Sequence, residues 1–133
     1  MVINMIDLHT HTLFSDGILL PAELVRRCEA KGFRGLAITD HADYSNIDFV
    51  IPNVLKACRE IASVSKIKVQ GGVELTHLRL EHIKSMVKRA RELGAFIVLV
   101  HGETITEPVL PGTNRAAIEA GAVDPDVPLE DGI

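Results

Sequence analysis

Aromatic residues are scarce in this 133-residue chain, at 4% with a single tyrosine and no tryptophan. Its core must therefore be aliphatic. Cysteine is nearly absent too: Cys28 and Cys58 stand far apart and form no CxxC pair, which excludes a disulfide framework or a cysteine zinc site. They read as two reduced core thiols. Basic residues are outnumbered, 14 against 18 acidic ones, for a formal net charge of −4. Binding nucleic acid or an anionic membrane by bulk charge is thereby disfavoured. No apolar run approaches the roughly 18 residues that span a bilayer. The opening MVINMIDLH lacks the basic start of a secretory leader, so a cytoplasmic setting is expected. Neither a G-x-S-x-G elbow nor a glycine-rich nucleotide loop occurs, which leaves a serine hydrolase unsupported and disfavours dinucleotide and P-loop functions.

What the chain does have is aliphatic periodicity. Runs rich in Val, Ile and Leu at 2–8, 35–39, 67–75 and 95–100 read as strands covered on both faces. Between them, apolar stripes at helical spacing predict helices over 21–31, 52–65, 80–93 and 114–120. Proline opens the first two, and Gly32, Gly94 and Gly121 follow three of the ends. Strand–helix alternation implies an α/β fold of four to five parallel βα units. In such folds the chemistry gathers at the carboxyl ends of the strands.

The predicted strand ends carry a consistent residue type. The first leads into Asp7, His9 and His11, then Asp16. The second leads to Asp40 and His41, the third to Glu74, and the fourth to His101 and Glu103. Of six histidines, four fall at these ends. Residues two apart on a strand face the same side at roughly 6.5–7 Å, so His9 and His11 can converge on one ion. Asp7 has the same parity and is expected to accept an imidazole N–H. Imidazole and carboxylate together suit Zn, Mn or Fe. The candidates exceed one tetrahedral site, so a cluster of ions is expected, with Glu74 bridging. Such a pair would activate water and hold the oxygens of a phosphoester.

The segments DLHTHTLFSDG, ITDHADYSN, GVELTH and VLVHGET, in this order, resemble the first four motifs of the PHP (polymerase and histidinol phosphatase) family. The resemblance runs from residue 3 to about 121. It implies a distorted, TIM-like (β/α)7 barrel with roughly two or three divalent ions at its C-terminal rim. Residues 1–121 would be the PHP domain, incomplete at its C-terminus, and 122–133 a tail that departs from the family pattern. The metal ligands implied are His9, His11, Asp16, His41, Glu74 and His101, with Glu74, His41 and His101 at the reacting centre. The implied activity is that of a metal-dependent phosphoesterase, a hydrolase like the histidinol phosphatases, acting on a small phosphorylated substrate. Arg115 is the candidate phosphate clamp.

The chain also departs from the family. It has no histidine after His101, where the family continues with another histidine and later an Asp-x-His pair. The alternative reading is accordingly a catalytically incomplete PHP fragment with a metal-binding or structural role, its barrel closed by a homo-oligomer or a partner chain. An amidohydrolase also opens with HxH, but no lysine stands at a strand end for it. His77 and His82 are expected to be surface histidines. Asp40 is expected to orient His41 or to cap the next segment. The segment 102–113 should overlie the site.

Overall fold

The computed structural model describes residues 4–122. Six strands and four helices follow one another: β1 (Met5–Thr10), α1 (Pro21–Ala30), β2 (Phe33–Ile38), β3 (His41–Ala42), α2 (Ile47–Ala62), β4 (Lys68–Gly71), β5 (Val73–Leu75), α3 (Leu80–Glu92), β6 (Val98–Val100) and α4 (Thr113–Glu119). Of the expected first strand, residues 2 and 3 lie outside the described residues. So does the predicted tail from residue 123 onward.

All strand pairs are parallel, in two three-stranded sheets of order β1-β2-β4 and β3-β5-β6. The predicted third strand passes from one sheet to the other at Gly72, and the chain makes the same change between Ile38 and His41, beyond the end of the predicted second strand. Backbone bonds span the joint: Gly72 N–H donates to Ile38 O (2.8 Å) and Glu74 N–H to Asp40 O (2.9 Å). Gly72 is required there, since a Cβ would lie 2.3 Å from the carbonyl oxygen of Ile97. Among the described residues, β1 and β4 are the outer strands of the first sheet and β3 and β6 those of the second, and neither sheet closes on itself.

The helices cover one side. Val25, Leu36, Ile38, Val50, Val54, Cys58, Ile67 and Val69 pack α1 and α2 onto the first sheet. Ala42, Ile51, Val73, Leu75, Ile83, Val87, Ala90, Val98 and Val100 pack α2 and α3 onto the second, with Ala117 of α4 beside them. At about 25 cal/mol per Å² of apolar surface removed from water, each fully buried Val or Ile contributes about 1.5–3 kcal/mol. Helix α2 begins five residues before Pro52, because its apolar stripe extends back through Ile51, Val50 and Ile47. Pro52 therefore sits inside the helix, where it removes one N–H from the ladder. Cys58 is buried and Cys28 half-buried, and neither is bonded. Burial pushes the Cys58 thiol up to about 11. Among the described residues no helix is long and apolar enough to cross a membrane.

The face turned away from α1 and α2 is different. Ile6, Gly35 and Lys68 are cross-strand partners there, alternating with the Leu36 and Val69 of the packed face. Ile6 and Leu8 are exposed.

Candidate metal centre

Strand register sets the middle of the site. His41 and Glu74 are direct partners across β3 and β5, and Leu99 of β6 is the next partner of Glu74. His101 follows β6, and its N–H donates to Leu75 O (2.8 Å). His9 is the last residue but one of β1, and His11 follows the strand. The structure therefore brings His9, His11, Asp16, His41, Glu74 and His101 to one place.

Glu74 lies at the centre and is 1% exposed. Its Oε1 stands 2.8 Å from His9 Nε2, 2.9 Å from His11 Nε2 and 3.6 Å from His41 Nδ1. Its Oε2 accepts from His101 Nδ1 at 3.1 Å. Burial alone would raise this carboxyl, but hydrogen bonds from His11 and His9 outweigh it and hold the group well below the usual carboxylate range. The hydrogen bond to Glu74, with a second to Asp16, outweighs burial at His11 and lifts it from 6.5 to about 9. Asp16 is lowered by its bond to His11. His41 moves the other way, because burial disfavours its charged form. His101 is raised: burial opposes the shift, but its bonds to Glu107 and Glu74 prevail.

Each of three rings has an outer nitrogen held by a partner. His11 Nδ1–H donates to Asp16 Oδ1 (2.6 Å). His101 Nδ1–H donates to Glu74. Thr76 Oγ1, 2.5 Å from His41 Nδ1, gives its own proton to Glu74 O (3.1 Å) and so accepts from the ring. With Nδ1 held in this way, Nε2 is the atom that His41 can offer an ion, and that His11 can offer once it gives up the proton it shares with Glu74. His41 Nε2 lies 3.3 Å from Asp16 Oδ2.

A buried acid secures the loop that carries His11 and Asp16. Asp40 is fully buried. Its Oδ1 accepts from Thr12 N–H (2.6 Å) and Ser15 Oγ (2.5 Å), and its Oδ2 from Thr12 Oγ1 (2.7 Å). It thus holds the loop after β1 rather than orienting His41 or capping the next segment. Gly17 closes the same loop, where a Cβ would lie 2.5 Å from His11 O. The sequence signal was the hydroxyl-bearing stretch Thr12–Ser15 opposite a lone acid.

The expected parity of Asp7 and His9 does not hold. The β1–β2 register slips between Asp7 and Thr10. Asp7 pairs with Leu36 of the packed face, and its carboxylate accepts the His9 backbone N–H (3.0 Å) instead of an imidazole proton. Arg115 is not brought to the cluster either. Its side chain is 85% exposed and pairs with Glu119 one turn on. Glu103 accepts from the Gly112 and Asn114 N–H groups at the start of α4. His82 is exposed and accepts from the Tyr44 hydroxyl (2.7 Å).

Among the described residues, three sets of side chains converge closely enough to hold a cation: His9, His11 and Glu74; His11, Asp16 and His41; and His77, His101 and Glu107. The first two share His11 and match an imidazole–carboxylate donor set for a divalent ion. Glu107 escaped the sequence reading because it lies mid-loop, where acidic residues are common. It contacts His101 Nε2 directly.

The sequence profile of the PHP domain matches residues 7–120. An uncharacterized protein of Methanocaldococcus jannaschii is 50% identical over 119 residues, covering 89% of this chain and 55% of that protein. A 5'-3' exoribonuclease of Haemophilus influenzae is 50% identical over 42 residues, or 32% of this chain and 15% of the other. The DNA polymerase/3'-5' exonuclease PolX of Bacillus subtilis is 42% identical over 41 residues, 31% of this chain and 7% of its own length. The chain thus spans about half of the first of these relatives and small parts of the others. No solved structure matches.

Proposed function

The chain belongs to the PHP domain family, and on that premise we propose that it is a metal-dependent phosphoesterase. The observation that carries the reading is the one buried carboxylate with four imidazoles around it. Glu74 Oε1 serves His9 and His11 while Oε2 faces His101, so the two oxygens address different groups. His9, His11, Asp16, His41, Glu74 and His101 would hold divalent ions such as Zn, Mn or Fe. When bound, those ions lower the pKa of water and draw negative charge from phosphate oxygens.

The chain's own residues prepare that chemistry. Glu74 stays ionised and supplies the negative charge that keeps cations and imidazoles together. Burial disfavours the charged form of His41, and Thr76 holds its Nδ1–H so that Nε2 is turned to the Asp16 side of the site. Asp40 keeps His11 and Asp16 in place. Glu74, His41 and His101 are the residues proposed at the reacting centre.

The acidic net charge favours a small phosphorylated substrate, in the manner of a histidinol phosphatase. Two relatives named as nucleases bring phosphodiesters within the same chemistry. The described strands would form one wall of the family's distorted (β/α)7 barrel, in a cytoplasmic setting, with residues 1–121 as the domain. The second reading, a metal-binding domain closed by a partner or a second copy, draws on the open sheet edges among the described residues.

The test is hydrolysis of p-nitrophenyl phosphate, bis-p-nitrophenyl phosphate and an oligonucleotide with Mn2+ or Zn2+. We expect metal-dependent turnover that His9→Ala abolishes. A folded, metal-loaded protein inert on the whole panel refutes the enzyme and leaves the second reading.

A further inference from the structure

We propose that His77, His101 and Glu107 form a separate cation position beside the Glu74 group, fitted to a divalent first-row transition ion. The inference deepens the metal-dependent reading and rests on it. The three residues come from the loops after β5 and β6, and each offers a donor atom within 4.8 Å of the others. The His77 and His101 ring centroids are 5.6 Å apart.

Three further features single out this position. His101 donates Nδ1–H to Glu74 Oε2, the carboxylate–histidine arrangement that frees Nε2 for an ion, and Nε2 is the atom that meets Glu107. The Glu107 loop is ordered at its base: Thr104 Oγ1 accepts from Glu107 N–H (3.0 Å), and Val109 is buried two residues on. Among the described residues, His77 is the one non-glycine in the left-handed region, with φ +53°. Glycine would take that conformation without steric penalty, so an imidazole held there points to a role for the ring. Two imidazoles and one carboxylate are a familiar donor set for zinc or ferrous iron, and three protein donors leave part of the coordination sphere free.

Metal counting on the full chain tests this. Purified wild type, His77→Gly, Glu107→Gln and His9→Ala are dialysed against buffered Zn2+, then Mn2+, and bound ions are counted by elemental analysis. We expect His77→Gly and Glu107→Gln each to hold one ion fewer than wild type. Their affinity at that position should fall by more than the roughly ten- to hundredfold that loss of an outer partner costs. His77→Gly also relieves the positive φ, so its metal-free melting temperature should not drop, which separates ligand loss from misfolding. Unchanged counts and affinities in both variants, with ions lost in His9→Ala, overturn this position alone. A wild type that binds no ion overturns it together with the wider metal reading.

Discussion

The Nε2 atoms of His9 and His11 stand 3.1 Å apart, and both lie within 2.9 Å of Glu74 Oε1. Both rings face the same carboxylate oxygen and can donate Nε2–H to it. The arrangement calls for positive charge at its centre, and a proton or a metal ion supplies it.

Metal and proton therefore compete. With His11 lifted to about 9 by Glu74 and Asp16, the metal-free ring is charged at pH 7.5. Uptake of an ion should release about one proton per chain from it, and affinity should rise with pH until about 9. Calorimetry in buffers of different ionisation heat reads this directly. Binding heats that ignore the buffer contradict it.

Stability of the metal-free protein follows from the same shifts. A raised His11 stabilises fully below its unfolded value of 6.5, and that contribution is lost as pH climbs through about 9. Asp16 and Glu74 are lowered, so their contributions stand above the ordinary carboxylate range and vanish on acidification. In EDTA the melting temperature should be highest from about pH 5 to 6.5 and decline towards both sides. Saturating metal should remove the alkaline decline. A melting temperature that rises from pH 6.5 to 9 in EDTA contradicts the assignment.

Asp40→Ala orphans the Thr12 N–H and two hydroxyls in a buried setting. The expected loss is about 2–4 kcal/mol of stability, with metal affinity down about ten- to hundredfold as the His11–Asp16 loop loosens. Denaturant melts and metal titration measure the two effects separately.

Thr76→Val is nearly isosteric and leaves His41 Nδ1–H without its acceptor. Metal affinity should fall about tenfold or more, while the fold is kept. An unchanged affinity would mean that Thr76 does not orient the ring.

Much of this architecture is readable from the chain. Aliphatic runs mark the strands, and helix α3 falls within about a residue of its predicted span because Ile83, Met86, Val87 and Ala90 repeat at helical spacing and Gly94 ends it. His9, His11, His41, Glu74 and His101, placed at strand ends, do lie together, whereas Glu103 turns to the start of α4. Three features were not legible because they are tertiary. The Gly71-Gly72 pair signals a bulge or a close backbone approach, but neither the change of sheet nor the identity of Ile97 as the approaching residue is encoded locally. The slip after Asp7 depends on pairing with β2 and reverses a parity argument that assumed a regular strand. The contact of Glu107 with His101 depends on how a proline-bearing loop folds back.

Burial divides the carboxylates of this rim into two kinds. Glu74 is enclosed with both oxygens engaged, so the interior offers no room to change it without dismantling its surroundings. Asp16 and Glu107 have side chains 66% and 47% exposed. Those two positions are where evolution or an engineer can retune which ion is preferred, exchanging carboxylate for imidazole or thiolate at the mouth while the interior stays as it is.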